Sequence, residues 1–154
     1  MKLVLDTSVV VALLASDEEQ DHFLDIISKY DYVCSTSIVP ELGNAVSAMF
    51  KRGRINLNQG LAIVDGFSKL DIQLVDLNLT RAVEISNSYH IYAYDAYVLE
   101  CAERLQIGFV TLDNKMLVVA LHFRIFCSAV MLPISSPSCR PSSLPFCSPK
   151  IKCS

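Results

Sequence analysis

Lys2-Leu3-Val4-Leu5-Asp6-Thr7-Ser8-Val9 is the stretch that decides the fold. Lys2–Leu5 reads as a short buried strand, and Asp6-Thr7-Ser8 as the turn that opens a helix at about Val9. The same pattern recurs along the chain. Tyr32-Val33-Cys34, Ile72–Val75, Phe109-Val110-Thr111 and Phe123–Phe126 read as strands. Helical periodicity marks Glu18–Ser28, Leu57–Phe67, Leu79–Tyr89, Asp95–Leu105 and Lys115–Leu121. A further helix runs from a Thr36-Ser37 cap to about Arg52, with Pro40 in its first turn and Gly53 at its end. Strands separated by helices imply an α/β domain, with helices flanking a central, mostly parallel sheet. Ligands of such sheets bind beyond the carboxyl ends of the strands, and Asp6 sits at one of those ends.

The 154 residues suffice for one domain with a real core. At 52% hydrophobic and 19% charged, the chain is globular and apolar enough for a buried oligomer face. Its net charge of −3 hides an asymmetry. Residues 1–132 hold all 16 acids and 10 of the 13 bases, a net −6, whereas Arg140, Lys150 and Lys152 make the rest +3. An acidic body argues against nucleic-acid binding by bulk charge; any such role needs metal ions and a local basic patch. Asp6 interrupts what would otherwise imitate a signal peptide, and His122, Arg124 and Pro133 break the apolar run 116–134. The expected location is therefore the cytoplasm, with Cys34 and Cys101 as reduced, buried thiols.

The domain is expected to span 1–130. Residues 131–154 form a tail rich in Pro, Ser and Cys that is too poor in core-forming residues to fold alone. It has neither His nor a Cys-x-x-Cys pair, which argues against zinc.

Four acids stand where strands end or helices begin: Asp6, Glu41, Asp95 and Asp113. Singly, each has an ordinary explanation. Asp6, Asp95 and Asp113 would cap helices starting at Val9, Ala96 and Lys115, and Glu41 would favour the positive end of a helix dipole. Jointly they would line one pocket with no cation in sequence reach to neutralise them, an arrangement that calls for a hard divalent metal such as Mg²⁺.

The flanking residues sharpen this. Asp6-Thr7-Ser8 follows an apolar strand, and Ser37-Ile38-Val39-Pro40-Glu41-Leu42-Gly43-Asn44-Ala45 opens a helix. Tyr94-Asp95-Ala96-Tyr97-Val98-Leu99-Glu100-Cys101-Ala102 opens another, and Phe109-Val110-Thr111-Leu112-Asp113-Asn114-Lys115 closes the series. In order and spacing the chain resembles, over roughly residues 1–126, the PIN-domain nucleases, and within them the VapC-type toxins of toxin–antitoxin pairs. The resemblance implies a PIN-like α/β/α sandwich and a Mg²⁺- or Mn²⁺-dependent endoribonuclease that uses one or two ions. It makes Asp6, Glu41, Asp95 and Asp113 the catalytic, metal-holding quartet and Ser8 and Thr111 the supporting hydroxyls. It further implies a homodimer, a small antitoxin whose C-terminal segment covers the active-site groove, and products with 5′-phosphate and 3′-hydroxyl ends.

Lys115 is the best-placed RNA contact, with Lys51, Arg52 and Arg54 as further candidates. His22, His90 and His122 are scattered and read as surface or helix-end residues, while Tyr89, Tyr92, Tyr94 and Tyr97 read mainly as packing, with base stacking a lesser alternative. A phosphate-transfer protein would need a second acid beside Asp6, or Asp-x-Asp, and position 8 is Ser. A dinucleotide site would need Gly-x-Gly-x-x-Gly after a strand, which the chain lacks. The remaining alternative is a catalytically silent PIN-like scaffold that binds RNA or protein.

Overall fold

The computed structural model describes residues 2–15 and 30–122. Strands β1 (Lys2–Leu5), β2 (Asp31–Ser35), β3 (Ile72–Val75) and β4 (Gly108–Val110) form one sheet in the spatial order β3-β2-β1-β4. Every pairing is parallel, with Val4 opposite Val33 on one side and Phe109 on the other. The helices are α1 (Thr7–Ala15), α2 (Ile38–Lys51), α3 (Leu57–Lys69), α4 (Leu79–Tyr89), α5 (Ala93–Leu105) and α6 (Asn114–His122).

Alternation along the strands sends side chains to opposite faces of the sheet. Leu3, Leu5, Tyr32 and Cys34 pack on one face with Val9 and Val10 of α1. Val4, Val33 and Phe109 pack on the other with residues of α4, α5 and α6 such as Ile85, Leu99 and Met116. This is the α/β/α layering expected from the sequence, and it explains why β1 reads as an unbroken apolar run: it is buried on both faces. β3, at the edge, keeps Gln73 and Leu74 exposed. The α2–α3 pair closes over Leu42, Val46 and Ile63. Gly60 lies against the tip of the half-exposed Phe50 ring, which an added Cβ at 2.3 Å would push aside. At the end of α2, Gly53 takes φ +64, which glycine tolerates without strain.

Three helix starts differ from expectation. α1 begins at Thr7 and α6 at Asn114, so Asp6 and Asp113 each directly precede a helix. α5 begins at Ala93, so Asp95 lies inside its first turn and does not cap a helix at Ala96. Ser37 occupies the N-cap position of α2 in an α-helical conformation, and its side chain makes no capping bond. The Ser35 hydroxyl instead accepts the Ser37 N–H at 3.3 Å. Cys34 and Cys101 are buried free thiols, as expected. Burial pushes the Cys34 thiol up to about 12 and the Cys101 thiol up to about 11, so neither is a ready nucleophile. Among the described residues no helix is long and apolar enough to cross a membrane. The expected helix Glu18–Ser28, the strand Phe123–Phe126 and the tail 131–154 lie outside the described residues.

Candidate active site

The turn between β1 and α1 sets the first carboxylate. The Asp6 N–H donates to the Val110 carbonyl at 3.0 Å, extending the β1–β4 ladder by one residue. The Asp6 carbonyl then accepts from Val9 and Val10 and starts α1. Its side chain is buried, and Oδ2 accepts the Thr111 hydroxyl at 2.7 Å together with the Ser8 hydroxyl. Both hydroxyls also accept backbone N–H groups: Leu112 donates to Ser8 at 3.3 Å and Asp113 donates to Thr111 at 3.0 Å. A hydroxyl that accepts a fixed N–H has its own proton directed elsewhere, here to Asp6. Ser8 and Thr111 thus orient one carboxylate across two turns that are far apart in sequence.

Glu41 stands in the first turn of α2, one residue after Pro40, whose missing N–H has no partner to lose there. The Thr7 hydroxyl donates to the Glu41 carboxylate. Asp95 is the third residue of α5, and its carboxylate accepts the N–H of Tyr92, the N-cap residue. This is the return half of a capping box, in which the acid satisfies an orphan donor from inside the helix. Asp113 makes the ordinary capping bond, accepting the Lys115 N–H at 2.7 Å.

All four acids line one open cleft of about 460 Å³. Thr7 and Ser8 share its floor, while Val11, Asn44, Ala45 and Tyr94 complete its walls. Among the described residues that line it, none is a lysine or arginine. The acids therefore act on one another. Burial, then the charges of Asp6 and Asp95, push the Glu41 carboxyl up to about 7, against the pull of the Thr7 hydrogen bond. Burial, then Asp113 and Asp6, hold Asp95 above the usual carboxylate range, while the Tyr92 N–H and the charge of Lys115 work the other way. A second cavity of about 430 Å³ lies at the amino ends of β1 to β3, lined by Lys2, Asp31, Asp71 and apolar side chains, with Lys2 donating to the Gln73 side chain at 2.9 Å. It holds none of the four acids.

The donor chemistry of the cleft fits a hard divalent cation: oxygen ligands only, in excess of nearby positive charge. Among the described residues, no three such side chains already stand as a closed metal-holding group. Lys115 is exposed and within electrostatic range of Asp95. Lys51, Arg52 and Arg54 are exposed at the opposite end of α2, roughly 15 Å along the helix from Glu41 at 1.5 Å per residue. They do not line the cleft. His90 is exposed and ends α4 with φ 52. The sequence offers no site role for Val11, Asn44 or Ala45, which also line the cleft. Asn44 follows Glu41 by three positions, the spacing that puts both on one helix face. Thr7 was read only as turn, and Tyr94 mainly as packing.

Comparison with known proteins gives a family and a fold. The family model described as PIN domain matches residues 3–121. A comparison with curated protein sequences gives no significant match. Among solved structures, the chain is similar to PAE2754 from Pyrobaculum aerophilum, with TM-score 0.63 and 20% identity over 77% of this chain and 87% of that one. It is similar to FitAcB from Neisseria gonorrhoeae, with TM-score 0.55 and 18% identity over 78% and 93% of the two chains. A toxin–antitoxin complex from Klebsiella pneumoniae aligns with TM-score 0.52 and 14% identity over 73% of this chain and 88% of that one.

Proposed function

This chain belongs to the PIN-domain family, and from that premise we propose that it is a divalent-metal-dependent endoribonuclease, the toxin of a toxin–antitoxin pair. The observation that carries the reading is the convergence of Asp6, Glu41, Asp95 and Asp113 on one cleft with no lining lysine or arginine. Acids whose protons are held on by burial and mutual repulsion are acids prepared for a cation. In this reading Asp6, Asp95 and Asp113 hold Mg²⁺ or Mn²⁺, as one or two ions, and Glu41 completes the set. The ion supplies Lewis acidity, which makes hydroxide available near neutral pH and offsets charge developing on the phosphate.

The chain's own groups do the rest. Ser8 and Thr111 fix the Asp6 carboxylate by donating to one of its oxygens. Glu41, in the first turn of α2, would complete the set or hold the attacking water in place. Lys115 places a positive charge beside Asp95, where the RNA backbone would pass. The toxin–antitoxin complex among the similar structures supports a small antitoxin as partner. A homodimer and a cytoplasmic location are proposed with it.

The test incubates purified protein, freed of any bound antitoxin, with labelled mixed-sequence RNA in Mn²⁺, Mg²⁺ or EDTA, with Asp95→Asn as the contamination control. The expected result is cleavage that needs both metal and Asp95. RNA or protein binding without cleavage in any metal would overturn the enzyme reading in favour of a silent scaffold.

A further inference from the structure

A cleft lined by four carboxylates repels the phosphate it has to hold, so the phosphate needs hydrogen-bond donors of its own. Most hydroxyl donors at the site are already committed. Ser8 and Thr111 donate to Asp6, and Thr7 donates to Glu41. Among the lining side chains this leaves the Tyr94 hydroxyl and the Asn44 amide. Tyr94 has another role, since its ring packs edge-on against Tyr97 with centroids 5.7 Å apart. Asn44 has none. It is exposed, and among the described residues its side chain makes no hydrogen bond. Local structure does not account for it either. Asn44 is the seventh residue of the 14-residue α2, an interior position where asparagine is a weaker helix former than alanine or leucine. It stands at neither a cap nor a turn, the places where asparagine stabilises a chain. What the helix does fix is its neighbour. Asn44 follows Glu41 by three positions, which sets their Cβ atoms about 5–6 Å apart on one face, and both line the cleft.

We propose that Asn44 is a further catalytic residue, whose amide N–H donates to a non-bridging oxygen of the scissile phosphate. The inference rests on the nuclease reading and adds a group to it. An uncharged donor suits this wall better than lysine or arginine. A cation one turn from Glu41 would pair with it, as Arg104 pairs with Glu100, and would compete with the metal. An amide offers two N–H groups, stabilises negative oxygens and leaves the carboxylates their charge. Lys115 carries its positive charge beside Asp95 from α6, so the phosphate would meet donors from two different helices.

The experiment compares wild type, Asn44→Ala, Asn44→Asp and Asp95→Asn as full chains. Binding of a labelled mixed-sequence RNA is titrated in Ca²⁺, with gels confirming that the RNA stays intact, and cleavage is timed in Mn²⁺. Asn44→Ala should weaken binding and lower kcat/KM, each roughly 10-fold or more. Its melting temperature should be no lower than that of wild type, and the rise produced by Mn²⁺ alone should be the same, because a phosphate donor is not a metal ligand. Asn44→Asp keeps the shape but exchanges the donor for a charge, and should lose at least as much. Cleavage by Asn44→Asp at the wild-type rate overturns the proposal and makes the side chain a metal ligand through its oxygen. Wild-type binding and cleavage by Asn44→Ala overturn it as well; with Asp95→Asn inactive, that result keeps the nuclease and removes only the role of Asn44. If wild type itself cleaves in no metal, the nuclease reading falls and the catalytic role with it, and weaker RNA binding by Asn44→Ala would keep the phosphate contact alone.

Discussion

Helix α5 carries two kinds of acid, and their surroundings differ. Near its carboxyl end, Glu100 is buried at 1% exposure, yet Arg104 donates to it at 2.6 Å. One turn away on the surface, Glu103 takes a two-pronged bond from Arg81 at 2.7 and 2.8 Å, and that bond lowers its pKa. Arg104 also donates to the Asp76 carbonyl at 2.6 Å, so these pairs tie α5 to α4 and to the loop after β3. At the other end, Asp95 is less buried than Glu100 but faces Asp113 and Asp6, with Lys115 as the opposing charge. Arginine appears where an acid serves the structure. The cleft acids have their places fixed by hydroxyls and backbone N–H groups, which direct carboxylate lone pairs without cancelling charge. The difference between the two ends of one helix is the physical argument that the cleft is kept ready for something positive.

The comparison can be broken most decisively at Asp95. Asp95→Asn keeps an oxygen for the Tyr92 N–H, so the fold should persist while RNA cleavage in Mn²⁺ falls by at least about 100-fold on a labelled-RNA gel. Asp6→Asn should act alike. Wild-type cleavage by either variant would show that the cleft acids do not serve catalysis.

The structural end makes the opposite prediction. Arg104→Ala leaves the Glu100 carboxylate buried without its cation, and should cost about 2–4 kcal/mol of stability in urea unfolding without touching the cleft. Arg81 is 43% exposed, so Arg81→Ala should cost no more than about 1 kcal/mol.

Between these in size lies the pH response. Glu41 carries its proton in the folded chain up to about 7, whereas an ordinary glutamate loses it near 4.5. The folded state therefore binds the extra proton in that window, and metal-free stability should decline as pH rises from 4.5 to 7. Glu41→Gln should flatten the decline, a difference of roughly 1–3 kcal/mol after allowance for solvent screening. Thermal melts across that range measure it, and an unchanged slope would mean that Glu41 is not under electrostatic pressure. Added Mn²⁺ should raise the melting temperature more at pH 8 than at pH 5, by a few degrees, and Asp95→Asn should blunt the effect.

Much of this contrast was legible in the chain. β1 was readable to the residue because an apolar strand buried on both faces leaves no alternation to misread. The convergence of the acids followed from the layering, since Asp6 and Asp113 trail adjacent parallel strands. The start of α5 was not legible. Asp95 resembles an N-cap in sequence, but it caps backwards from the third position, and an exposed tyrosine in the cap position gives no start signal. Asn44 and Thr7 escaped because helix and turn assignments do not say which neighbours close over a cleft. Lys51, Arg52 and Arg54 stand at the far end of the Glu41 helix, as the sequence places them.

The Thr111–Asp6 hydrogen bond joins residues 105 positions apart. During synthesis, Asp6 emerges from the ribosome early and Asp113 late, and β1 has no β4 beside it until Gly108–Val110 follows. No partial chain that stops short of those residues can hold the cleft. The cleft is thus closed by its two chain-distant walls together, and it exists only once β4 and Asp113 have joined β1 and Asp6.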